Sequence, residues 1–191
     1  MKKTIFFIAV AVLCLFFRGF GQSGGAGVTN PYGKVALRIG EKVPDLLFMH
    51  VLNGEKKPLS LSSFKGKAVI LDFWGTWCGA CISSFPKMDE LQKKYDKYLQ
   101  ILLVDDSTVD TLENTTAFVQ KHERAGQVFS MPMIWDKGFT PILFPHRSFP
   151  HYVWIGADRR VMAITDGTHF TGANFERFFA GLELNLKRKE F

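Results

Sequence analysis

The sequence predicts an α/β sandwich: a mixed central sheet flanked by helices, with a β-hairpin extension at its N-terminal end. Three observations predict it. The run AVILDFW at 68–74 is apolar at nearly every position, the pattern of a strand buried on both faces. A second buried run, ILLV at 101–104, follows after a stretch long enough for one helix. Further strand-like and amphipathic segments then alternate to the end of the chain.

The chain of 191 residues, 47% hydrophobic and 22% charged, suits one domain with tails and a core that can stand on burial. Collagen-like, disordered and multi-span membrane classes are excluded. Three cysteines are too few for a disulfide-stapled mini-protein.

The first element is a leader. Met1-Lys2-Lys3 precedes an uncharged apolar run of 14 residues, 4–17, and Arg18 ends it. A basic start and an apolar run of about 7–15 residues describe a secretory signal peptide. The run is short of the roughly 17–25 residues that span a bilayer. Gly19 and Gly21 place cleavage after Gly21, so residues 1–21 form the signal peptide. An uncleaved membrane anchor is the rival reading. A lipoprotein fits less well, because Cys14 follows Val12-Leu13 and sits too early.

Export corrects the charge. Cleavage takes three of the 24 basic residues and none of the 18 acidic ones, so the formal +6 becomes +3. No basic run interleaved with aromatics occurs in the body, and nucleic acid is not an expected partner. Cleavage also removes Cys14, leaving Cys78 and Cys81 in one C-x-x-C. In an oxidising compartment a single local pair favours chemistry over bracing.

Residues 22–38, rich in Gly, Ser and Asn at their start, read as a flexible linker. The domain is placed at 39–186 and a basic tail at 187–191. Residues 46–51 and 59–61 are the hairpin strands, with Asn53-Gly54 as a turn signal. A turn at 64–67 leads into the strand 68–74. From Cys78 to Tyr98, Phe85, Met88, Leu91 and Tyr95 recur at helical spacing, with Pro86 expected to kink the helix. After the strand 101–104, Asp110-Thr-Leu-Glu113 resembles a capping box with Asp110 at the N-cap. A helix follows, through Leu112, Ala117 and Phe118 and into 121–124. Residues 125–147 suggest one strand near 133–135, then a loop or short helix. Strands at 152–155 and 161–164 flank a turn. Phe175, Phe178, Phe179 and Leu182 form the apolar face of a last helix.

The string Asp72-Phe73-Trp74-Gly75-Thr76-Trp77-Cys78-Gly79-Ala80-Cys81 places the C-x-x-C between a buried strand and a helix start. The first N–H groups of a helix are unpaired and its dipole is positive there. Both stabilise a thiolate at Cys78 and lower its pKa below the free value near 8.5. That thiolate attacks a substrate disulfide, and Cys81, one turn on, closes the Cys78–Cys81 bond and releases product. Asp72, a carboxyl inside an apolar strand, has an expected raised pKa and suits a proton acceptor for Cys81. A hydrogen-bonded structural Asp is the alternative.

This stretch resembles the active site of the thioredoxin superfamily, and in detail the exported TlpA/ResA-like thiol–disulfide oxidoreductases with a redoxin or AhpC-TSA-type domain. The matching features are D-F-W-x-x-W-C-x-x-C at 72–81, Pro86 five residues past the second cysteine, and Gly40-Glu-Lys-Val-Pro-Asp45 at the domain entry. The likeness covers roughly residues 39 to 183. It implies a thioredoxin-like fold with a cis-proline opposite the cysteines. The best match is Phe149-Pro150, with Pro145 as runner-up and an ordinary trans turn proline as the alternative. It further implies that Trp77, Phe149 and Pro150 frame a substrate groove. The implied partners are protein thiols and disulfides and an upstream envelope electron donor, with the membrane involved only if the leader is uncut. No cofactor and no metal are implied. The location is the periplasm or cell envelope of a bacterium.

Two departures stand out. Gly79-Ala80 replaces thioredoxin's Gly-Pro, which alters the helix start and the reduction potential. The 68 residues between Cys81 and Pro150 exceed a minimal thioredoxin and point to an insertion at 125–147. Three other functions compete with this one. A Cys₂His₂ metal or copper-handling site would use Cys78, Cys81, His146 and His151, at spacing unlike a finger. A thiol peroxidase wants Pro-x-x-x-Thr-x-x-Cys, where this chain has Leu71 and Gly75. A binding module on an inactive fold is at odds with the intact C-x-x-C.

Overall fold

A computed structural model describes residues 36–169 and 171–180. The leader, residues 22–35 of the linker, Leu182 and the basic tail lie outside the described residues.

Among the described residues there are eight strands and four α-helices. The strands are β1 (Leu47–Phe48), β2 (His50–Val51), β3 (Leu59–Ser60), β4 (Ala68–Trp74), β5 (Leu99–Asp105), β6 (Met133–Trp135), β7 (His151–Ile155) and β8 (Val161–Asp166). The helices are α1 (Gly79–Tyr95), α2 (Leu112–Arg124), α3 (Thr140–Leu143) and α4 (Gly172–Phe179). Six strands form the sheet in the order β2-β6-β5-β4-β7-β8, and β1 pairs with β3 beside it. β4 runs parallel to β5 and antiparallel to β7, so the sheet is mixed and β4 lies inside it. This is the thioredoxin-like sandwich.

Every residue of β4 and β5 is buried, as continuous apolar runs require. Side chains alternate across the sheet. Ile70 and Trp74 join one core with Phe85 and Met88 of α1, Val119 of α2 and Phe175 and Phe178 of α4. Val69, Leu71 and Phe73 join the other with Phe48, Leu61, Leu143 and Phe144. Three helices thus cover one face; the hairpin, a 3₁₀ turn at Leu61–Phe64 and α3 cover the other.

Several elements differ from expectation. The predicted strand 46–51 divides: Leu47–Phe48 pairs with β3, while His50–Val51 pairs with β6 at the sheet edge. The buried Asn53 side chain secures that crossing. Its amide donates to the Met131 carbonyl at 2.8 Å, and its oxygen accepts from the Met133 N–H at 2.8 Å. α1 stops at Tyr95 rather than Tyr98, because Tyr98 turns to give its carbonyl to Ala68 N–H at 2.8 Å. The helix runs through Pro86, which has no N–H for the Ile82 carbonyl. Thr111, not Asp110, caps α2, in a reciprocal box with Asn114. Segment 125–147 does contain a strand and a short helix, and β6 sits within the sheet between β2 and β5.

Candidate active site

Register positions the site. Phe73 opposes His151 across the β4–β7 pair, so Pro150 and Trp74 stand together where both strands end at the same edge. From that edge residues 75–77 lead to Cys78, the N-cap of α1. The Phe149–Pro150 bond is cis, and Pro145 is not the cis residue. The Phe149 ring meets Trp77 edge-on, with centroids 5.5 Å apart. Gly167 admits the proline ring: a Cβ there would lie 3.0 Å from Pro150 Cγ.

Cys78 and Cys81 form a disulfide, with sulfurs 2.00 Å and Cα atoms 5.3 Å apart. The Cys81 N–H points at Cys78 Sγ at 3.2 Å. Cys78 retains 5% of its surface and Cys81 none, so access favours Cys78. Trp77, 58% exposed, stands beside them.

Loop 75–77 is held from the segment after β5. Asp110 accepts from the Thr76 backbone N–H at 2.8 Å and its hydroxyl at 2.5 Å, which is why Asp110 does not cap α2. Ser107 Oγ accepts from Trp77 Nε1 at 2.9 Å. Gly75 permits this closeness: a Cβ there would stand 3.0 Å from Asp110 Oδ2, Ser107 Cβ and Trp77 Nε1. Asp105, beneath the loop, accepts from Thr115 Oγ1 at 2.6 Å and the Ser107 N–H at 3.0 Å. Burial, with the Asp110 charge adding, pushes the Asp105 carboxyl up to about 6 against the pull of Thr115.

Asp72 is fully buried, and its carboxyl oxygens have no hydrogen-bond partner among the described residues. Alternation along β4 turns it to the face that carries both cysteines. Burial holds its pKa well above the ordinary carboxylate range. Tyr152 opposes it across β7 and bonds to Ser84 of α1. Burial and the Asp72 charge raise the Tyr152 pKa too.

A groove of about 520 Å³ opens between Ala80, Ser84 and Lys87 of α1, Phe149-Pro150 and Thr168. No residue of 125–147 lines it. A larger hollow of about 1100 Å³ lies between Tyr95, Tyr98, Arg160 and Phe179. It lacks Ala80, Tyr152 and Phe149-Pro150, which line the smaller groove, so the smaller groove is the one next to the cysteines. Cys78, Cys81, His146 and His151 do not gather into a metal-holding group among the described residues.

Sequence reasoning named both cysteines, Asp72, Trp77 and Phe149-Pro150, and the structure gathers them at one end of β4. It missed Thr76, Ser84, Ser107 and Tyr152 and misassigned Asp110. The contacts of Ser107 and Asp110 span 30 and 34 residues, and no local pattern announces them.

A dithiol–disulfide pair at a helix start, set against a cis-proline on this sheet, defines a thiol–disulfide redox centre of the thioredoxin-like class. The AhpC/TSA family model matches residues 39–142, and the chain belongs to that family. It is 33% identical over 144 residues to the thiol-disulfide oxidoreductase ResA of Bacillus cereus, covering 72% of this chain and 73% of the relative. ResA of Bacillus anthracis is 35% identical over 144 residues, with the same coverage of 72% and 73%. A crystal structure assigned as the thiol:disulfide interchange protein DsbE of Chlorobium tepidum superposes with a TM-score of 0.59 at 28% identity. That match spans 76% of this chain and 98% of the other.

Proposed function

We propose that the protein is an exported enzyme that reduces disulfides in other proteins of the cell envelope. The observation that carries this reading is Cys78 at the N-cap of α1, with the Cys81 N–H aimed at its sulfur. In the dithiol state that N–H and the helix dipole favour a Cys78 thiolate. Attack on a substrate disulfide forms a Cys78–substrate bond and releases one substrate thiolate. Cys81 then loses its proton towards Asp72, across a bridging water, and its sulfur attacks Cys78 Sγ. The second substrate sulfur leaves, and the Cys78–Cys81 disulfide closes. Two electrons have passed to the substrate, and an envelope dithiol donor returns them. Trp77, Phe149 and Pro150 frame the entering chain, whose backbone pairs beside β7 as an added strand.

The leader supports the location: on this reading residues 1–21 are the export signal, 22–38 the linker and 39–186 the domain. Among the described residues no helix is long and apolar enough to cross a membrane. Mutagenesis tests the mechanism. Cys78→Ser abolishes insulin disulfide reduction, and Cys81→Ser accumulates mixed disulfides. Full activity in the double variant would overturn it.

A further inference from the structure

Behind the Phe149 ring the domain buries a histidine–aspartate pair that the exchange steps do not use. His146 Nδ1 lies 3.0 Å from the Phe144 carbonyl oxygen, which only accepts, so Nδ1 carries a proton and donates it. Its Nε2 lies 3.3 Å from an Asp106 carboxyl oxygen, a contact that is an ion pair only when the imidazole is protonated, and neither Asp106 oxygen has a hydrogen-bond partner among the described residues. The two side chains are almost closed to water, at 6% and 1% exposure. Burial pushes the Asp106 carboxyl up; His146 and Lys137 oppose that and Asp136 adds to it.

The imidazole is also clamped by rings. It stacks on His151 with centroids 4.5 Å apart and 12° between planes, and it meets Phe73 at 4.9 Å. It also meets Phe149, at 4.9 Å and 71°. Phe149 in turn meets Trp77. A continuous line of contacts therefore runs from Asp106 through His146 and Phe149 to Trp77, next to Cys78. A buried polar pair is seldom more stabilising than apolar packing of equal volume. What the Phe144 anchor adds is direction, because a hydrogen bond at Nδ1, with Asp106 in contact at Nε2, fixes the plane of the ring on which Phe149 leans.

We propose that His146, hydrogen-bonded to the Phe144 carbonyl and in contact with Asp106, is a positioning residue for disulfide exchange: it holds Phe149 against Trp77 so that the two rings present a fixed rim to a protein substrate. The inference rests on the reading of Trp77 and Phe149-Pro150 as the substrate rim. It gives segment 125–147 a part in the site, since His146 lies in that segment although none of its residues lines the groove.

The test compares His146→Leu, His146→Gln, Asp106→Asn, Phe149→Leu and the His146→Leu/Phe149→Leu double variant. Each is assayed for kcat and KM with insulin, and for rate with oxidised glutathione, which is too small to span the rim. His146→Leu is expected to raise KM for insulin roughly two- to tenfold, the range for loss of one aromatic contact. Its kcat and its glutathione rate stay within about twofold of wild type. His146→Gln, which keeps an N–H, recovers part of the loss. In the Phe149→Leu background the His146 change adds nothing, because it acts through that ring. Should His146→Leu fail to fold, Asp106→Asn carries the same expectation at unchanged volume. Unchanged insulin KM, equal losses with both substrates, or effects that multiply in the double variant would overturn the positioning role. Loss of insulin reduction in the Cys78→Ser control keeps the exchange mechanism standing whichever way His146 behaves. Its persistence there would sink both.

Discussion

At Asp72 a carboxyl enters an apolar face that includes Ile70, Trp74, Tyr152 and the two cysteines. Its folded pKa lies well above its unfolded value because burial disfavours the charge. As pH rises past the ordinary carboxylate range, the unfolded chain gives up this proton while the folded one keeps it. Stability therefore falls until the buried group ionises. Asp72→Asn should remove that decline, gaining more over wild type at pH 8 than at pH 4 in urea titrations. The same variant should slow decay of the mixed disulfide in single-turnover assays, because Cys81 has lost its proton acceptor. Asp105 obeys the same sign. Its rise to about 6 predicts that stability declines between about pH 4 and pH 6, by up to about 3 kcal/mol at 1.36 kcal/mol per pH unit. Asp105→Asn, which can still accept from Ser107 or Thr115, should flatten that interval.

Elements fix these residues through close approaches. Loop 75–77 touches the segment after β5 so closely that one added methyl at Gly75 would force the Asp110, Ser107 and Trp77 side chains to give way. Gly75→Ala is expected to cost about 1–3 kcal/mol by overpacking. It should also lower insulin reduction, since the displaced neighbours include Trp77; denaturant melts and kcat/KM check the two effects. The cap of α2 is separable from the site: Thr111→Ala should cost about 1 kcal/mol and leave exchange rates unchanged. Long elements were legible, and so were the short strands near 59–61 and 133–135; the split of 46–51 was not. The seven-residue runs of β4 and β5 announce themselves by composition. The two-residue strands β1 and β2 carry no periodicity, so the division of 46–51 between two sheets left no local trace. Asp110 looked like a cap because its sequence neighbours fit one; a loop 34 residues earlier in the chain claims its carboxylate instead.

For the molecule as a whole, the direction of electron flow is set by the reduction potential of the Cys78–Cys81 pair. A value near about −270 mV marks a reductant and one near about −120 mV an oxidant. The proposed function expects the lower, measured by equilibration with glutathione or dithiothreitol. Export makes a second prediction: the protein recovered from the envelope begins at Gln22, read by N-terminal sequencing.

Read from the chain alone, the redox chemistry was already plain, because C-x-x-C after a buried strand is a local pattern with a local physical meaning. The long strands and the last helix were visible for the same reason, because periodicity reports which side of an element is buried, whereas Phe149-Pro150 was reached through the family resemblance. Folding settled which distant groups meet. It brought Ser107 and Asp110 to the cysteine loop, Tyr152 to Asp72, and Asp106 to His146. Those meetings depend on strand register and on the order β6-β5-β4-β7, which arise from the whole core packing at once rather than from any single stretch of sequence.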